Sequence, residues 1–183
     1  MKKSHQKLSY LVLVLAFLIS VIAIPGMVLA SDISSENIVL LVNRERTNRG
    51  LIPLRENIGL HNAATTKSMD MINRNYFDHY AYGLTPWDFM LSYNYNYLTA
   101  GENLAMDFET SEGVVSAWMK SPSHRANILN PDFQDVGVGI VKGEFVSADS
   151  SRETKMVTEM FGRHKSVILQ AIDSFLSAFQ NIF

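Results

Sequence analysis

"SPSHRANILNPDFQDVGVGIV", residues 121–141, changes its periodicity partway along. Ser121 followed by Pro122 opens a helix: serine is a preferred N-cap, and proline's fixed φ suits the first helical position, where no N–H is required. That helix ends before Pro131. Beyond it "VGVGIV" alternates every second residue, the period of a strand rather than of a helix. Helical segments precede the switch and strands dominate after it, an order that predicts a sheet flanked by helices instead of alternating βαβ units.

Upstream, Ser111 to Lys120 reads as a helix with Val114, Val115, Trp118 and Met119 turned inward. "TPWDFMLSY" supplies Thr85 as N-cap, Pro86 at N1 and Asp88 three residues after the cap, so another short helix begins there. A helix over about 58–73 places Leu60, Ala64, Met71 and Ile72 on its apolar side. The first helix covers 34–49, with Ile38, Leu41 and Val42 inward, Glu36 in its first turn and Gly50 as its stop. Gly101 to Met106 predicts one strand ahead of the switch, and "FVSA" and "KMVTEMF" predict strands after "VGVGIV". Gly137 and Gly139 do not make a nucleotide loop, because the third glycine and the following helix are both missing.

The two ends differ from the middle. Lys2, Lys3 and Lys7 precede the apolar run "YLVLVLAFLISVIAI", and small residues at Val28 and Ala30 complete the pattern of a secretory signal in residues 1–30, cleaved after Ala30. The run is shorter than a spanning helix needs. Cleavage removes three lysines and no acid, taking the formal charge from −2 to −5. With no basic cluster in the remaining chain, nucleic acid is excluded as a partner. The chain has no cysteine, so packing alone must hold an exported domain over 31–163, and cysteine nucleophiles and cysteine zinc ligands are excluded. Apolar helix faces and the late strands supply that core without a metal, so no cofactor is required for folding. From Lys165 onward, Ile168, Leu169, Ile172, Phe175, Leu176, Phe179, Ile182 and Phe183 follow helical spacing, which makes residues 164–183 an amphipathic helix. Its apolar face calls for the domain, a second copy of the chain or a membrane, although its polar face lacks the lysines and arginines typical of membrane-surface helices.

Three places set a titratable group in a distinctive context: His79 in "FDHY", Glu102 in "AGENLA" and His124 in "SPSHRANIL". With Pro122 at N1, His124 falls at N3, where the helix dipole disfavours the imidazolium. A neutral imidazole is the form that ligates a metal. The HExxH signature and a GxSxG nucleophile are both missing.

Taken together, "LLVNRERTNRGLIPL", "YFDHYAYGLTPWDFM", "AGENLA", "VVSAWMKSPSHRANILN" and "DVGVGIV" resemble a prokaryotic member of the CAP superfamily, also called SCP-like or pathogenesis-related-1-like, over residues 36–162. The resemblance implies an α+β fold, a three-layer α-β-α sandwich with a central antiparallel sheet and an open cleft. It implies that the cleft holds two histidines and two glutamates, with the histidines able to bind a divalent cation, most often zinc. His79 and His124 match the two metal positions, and Glu102 matches one glutamate. Two histidines and this carboxylate suit a zinc site with an open position for water, or else Glu102 stands beside a ligand, accepting a ring proton and fixing the ring's orientation. The other glutamate position is Ser121, and Glu112 in the preceding helix is offset by about two and a half turns, so the role does not transfer to it. The family's cysteines are also absent.

Members of that family are linked to lipid or sterol binding, to cell-surface and protein interactions and to proteolysis, so the resemblance implies the fold more firmly than an activity. The leading expectation is a secreted, non-catalytic binding module with a metal-capable His/Glu cleft. The alternatives are an extracellular metal-dependent hydrolase or protease, and a membrane-associated surface protein held by its signal or by the tail helix, which also offers self-association through residues 165–183.

Overall fold

In chain order the elements are α1 (Ser35–Thr47), β1 (Arg55–Glu56), α2 (Ile58–Arg74), α3 (Pro86–Ser92), β2 (Tyr97–Met106), α4 (Ser111–Lys120), α5 (Pro122–Ile128), β3 (Asp135–Ser147), β4 (Ser150–His164) and α6 (Val167–Gln180). They come from a computed structural model that describes residues 32–147 and 150–180. The secretory segment, its cleavage point and the last residues of the tail, Ile182 and Phe183, lie outside the described residues.

Most helices begin where a polar side chain meets a free N–H. Ser34 accepts from Asn37 N, Asn57 from Leu60 N and Thr110 from Gly113 N, while Thr85 and Asp88 form a reciprocal capping box. Ser121 departs from its expected role: its backbone is extended as a cap should be, but its hydroxyl meets Ser123 Oγ instead of a helix N–H. Proline at N1 therefore carries the start of α5 without a side-chain cap. α1 stops at Thr47, ahead of Gly50, and α2 ends on Asn75 with φ 56°, a left-handed stop that asparagine tolerates.

The four strands pair in the order β1-β3-β4-β2. β3 and β4 form one long antiparallel hairpin from Asp135↔Gly162 to Ser147↔Ser150, and β2 pairs antiparallel with the other side of β4. Three features differ from the expected sheet. "FVSA" is no separate strand, because Phe145 to Ser147 continue β3. β2 starts at Tyr97, ahead of Gly101. The short β1 pairs parallel with β3, as Arg55↔Asp135 and Glu56↔Val136, so the sheet is antiparallel except at this edge.

Strand alternation sends successive residues to opposite layers. Val136, Val138, Val157 and Phe161 pack with Ile38, Val42, Val114, Val115, Trp118 and Ile128 from α1, α4 and α5. Met160 packs with Leu60, Ala63, Ala64, Phe89 and Met90 from α2 and α3. The result is the α-β-α sandwich. Gly137 and Gly139 face α2, where an added Cβ would overlap the backbone of Leu60 and His61 or of Ala64 and Thr65. Their glycines serve a close helix-on-sheet contact. On the other side, buried Arg46 donates to the carbonyls of Ile52, Ile128 and Asn130 at 3.0, 2.8 and 2.8 Å, tying the loops around α5 and β1 to α1.

α6 forms as expected from its spacing, but Ile168, Ile172, Phe175 and Leu176 are exposed. No helix among the described residues is long and apolar enough to cross a membrane.

Candidate functional site

β2 ends the sheet order and is therefore an edge strand, and the site gathers around two consecutive residues on it. Glu102 shares the face of Met160 and Leu104, towards α2, whereas Asn103 shares the face of Glu159, towards α4 and α5.

On the α2 side, His79 comes from the loop between α2 and α3, and its Nδ1 lies 2.6 Å from Glu102 Oε1. The His79 side chain is 43% exposed and that of Glu102 only 2%, so a surface ring is backed by a buried carboxylate. Burial pushes the Glu102 carboxyl up, and the bond to His79 opposes that. The same bond holds the His79 imidazole above its ordinary value, against partial burial. With Nδ1 donating to a carboxylate, the neutral ring carries its lone pair on Nε2. Glu102 Oε2 is buried without a hydrogen-bond partner.

On the other side, His124 stands in the first turn of α5, where partial burial and then the charge of His79 lower its pKa. Burial favours the neutral ring, and the second effect adds to it when His79 is protonated. Asn103 Nδ2 donates to the His124 carbonyl and to Glu159 Oε2, both at 3.2 Å, and Asn127 Nδ2 donates to Asn103 Oδ1 and the Glu102 carbonyl at 2.9 and 3.0 Å. α5 is thus stitched to the edge strand. Glu159 lies wholly buried beneath, and burial pushes its carboxyl up to about 8 despite the Asn103 bond.

The structure therefore joins His79 to Glu102 directly and brings His124 within reach of the field of His79. Glu112 points elsewhere: it lines a groove of about 370 Å³ between α1 and α4 with Leu41, Arg44, Glu45 and Lys120. Among the described residues, no three histidine, aspartate or glutamate side chains converge as a metal-binding group. Asn103, Asn127 and Lys67, whose Nζ donates to the His79 carbonyl at 3.0 Å, were not legible as site residues. The available signal for Lys67 was a cation on the apolar side of α2, between Ala64 and Met71.

The model of the cysteine-rich secretory protein family, CAP, matches residues 39–152. The uncharacterized protein YkwD of Bacillus subtilis is 49% identical over 109 residues, which are 58% of this chain and 42% of that protein. The uncharacterized membrane protein YlbC of the same species is 32% identical over 109 residues, covering 58% of this chain and 31% of its own length. The chain thus spans less than half the length of either relative. Among solved structures, an extracellular protein containing an SCP domain from Bacillus anthracis matches with a TM-score of 0.61 and 29% identity, over 70% of this chain and 40% of that one. An outer surface protein of Borrelia burgdorferi shares the fold, with a TM-score of 0.58 and 23% identity over 75% of this chain and 100% of its own. With the three-layer sandwich and the cleft motifs in place, this chain belongs to the CAP, or cysteine-rich secretory protein, family.

Proposed function

We propose that this chain is an exported binding module whose cleft holds a divalent cation, zinc above all, between His79 and His124, and that it binds a ligand rather than catalysing a reaction. The observation that carries this is the 2.6 Å contact between His79 Nδ1 and the buried Glu102. A carboxylate behind a histidine selects the tautomer that leaves Nε2 as donor and makes that nitrogen more basic. The neutral ring of His124 is a second donor of the same kind, and two imidazoles suit zinc. When bound, the cation supplies a positive centre with positions left for water or a ligand atom. Export is supported by the secretory pattern of residues 1–30 and by the extracellular description of the Bacillus anthracis relative.

Calorimetry with zinc on chain 31–183 tests the site. One ion should bind, His79→Ala and His124→Ala should each abolish stoichiometric binding, and both variants should keep the fold. An unchanged zinc affinity in His124→Ala would sink the assignment.

A second reading concerns α6, whose exposed Ile168 and Phe175 favour a domain held at a lipid surface by its tail. Co-sedimentation with phospholipid vesicles should then depend on residues 165–183, and a chain that stays in the supernatant with or without them would end it.

A further inference from the structure

Lys67 is fully buried on the inner side of α2, a place that the spacing of Leu60, Ala64 and Met71 assigns to an apolar residue. An ammonium withdrawn from water is costly unless its hydrogens find acceptors. Here one goes to the carbonyl of His79 at 3.0 Å and another to the hydroxyl of Tyr76 at 3.2 Å. Tyr76 donates its own proton to Asp70 Oδ2 at 2.6 Å, which turns a hydroxyl lone pair towards the ammonium. The rings of Tyr76 and Phe89 lie 4.9 and 5.4 Å from Nζ, close enough for cation–π attraction.

His79 is therefore held at both ends: its main chain by Lys67, its ring by Glu102. A packing lysine would direct its ammonium to solvent or to its own helix, and this one reaches twelve residues along the chain to the backbone of a cleft histidine. Asn103 makes the matching contact to the carbonyl of His124. We propose that Lys67 is a positioning residue: braced by Tyr76 and Asp70, it fixes the main chain of His79 so that the imidazole meets Glu102 and offers Nε2 to a divalent cation. The cation half of this rests on the binding reading above, while the hold on the ring does not.

The test separates the two. In the zinc-free protein at neutral pH, proton NMR should show the His79 Nδ1 proton far downfield, as a short bond to a carboxylate requires. Lys67→Met keeps the apolar stem and should broaden or lose that signal and weaken zinc binding about tenfold in calorimetry. Lys67→Arg keeps a donor for the carbonyl and should restore both. Should Lys67→Met fail to fold, Tyr76→Phe, at a partly exposed residue, removes the brace and should weaken the signal. The proposal is overturned if the signal persists unchanged in folded Lys67→Met, or in Tyr76→Phe where Lys67→Met does not fold. A folded Lys67→Arg that does not regain it also overturns the proposal. A wild-type protein that binds no zinc would end the cation reading, and the ring signal would still decide the role of Lys67.

Discussion

Glu102 and Asn103 are neighbours on one edge strand and serve opposite histidines: Glu102 meets the ring of His79 in one layer, and Asn103 holds the carbonyl of His124 in the other. Strand alternation alone achieves this, since adjacent residues face opposite sides of a sheet. β2 is the spine to which both histidines are tied, one from each layer.

Glu102→Gln keeps the shape and removes the charge. The His79 pKa, raised first by its bond to Glu102, should fall back towards the ordinary histidine value in an NMR titration. Zinc affinity should drop by roughly 10–100-fold. In wild type the folded chain holds this proton more tightly than the unfolded one, so the contribution of the bond is present in acid and fades as pH rises through the raised value.

Glu159 gives a second pH signature. Its carboxyl is buried and raised to about 8 from an ordinary 4.5, so between those values the folded state keeps a proton that the unfolded state has released. Stability therefore falls as pH rises through that window, by an amount on the order of a few kcal/mol. Glu159→Gln should abolish the slope, leaving denaturant midpoints at pH 5 close to wild type and raising them at pH 8.

Gly139→Ala places a methyl group on the backbone of Ala64 and Thr65. Overlap with main chain has no flexible side chain to absorb it, so α2 must move. A loss of about 3 kcal/mol or more is expected in urea unfolding.

Removal of residues 165–183 should leave the thermal midpoint of the domain nearly unchanged, because Ile168, Ile172 and Leu176 of α6 are exposed. A large fall in that midpoint, measured by differential scanning calorimetry, would show that the helix is part of the core.

Much of the fold was legible because it is written in local chemistry. Thr85 and Asp88 box a helix start, Trp118 turns inward at helical spacing, and "VGVGIV" alternates. What escaped was set by distant partners. Arg55 and Glu56 carry no strand pattern, and they become β1 only because β3 lies alongside. Tyr97 to Ala100 lie at the more open end of the edge strand, where alternation is blurred. The site divides the same way. His79, Glu102 and His124 were legible from their motifs, but spacing cannot say what an inward-facing Lys67 or Asn103 bonds to. For His124 the sequence shows its place in the first turn of a helix, whereas its burial is a tertiary quantity.

Because His79 and His124 are tied to β2 from separate layers, their arrangement has no local precursor in the unfolded chain. β2 is held by β4, whose pairing residues lie far along the chain, as in Glu102↔Met160. Closing contacts of that sequence separation is slow and comes late. On the proposed zinc reading, capture of the ion would then follow folding instead of guiding it: refolding from urea should proceed at the same rate with zinc or with a chelator, the ion slowing only the reverse reaction.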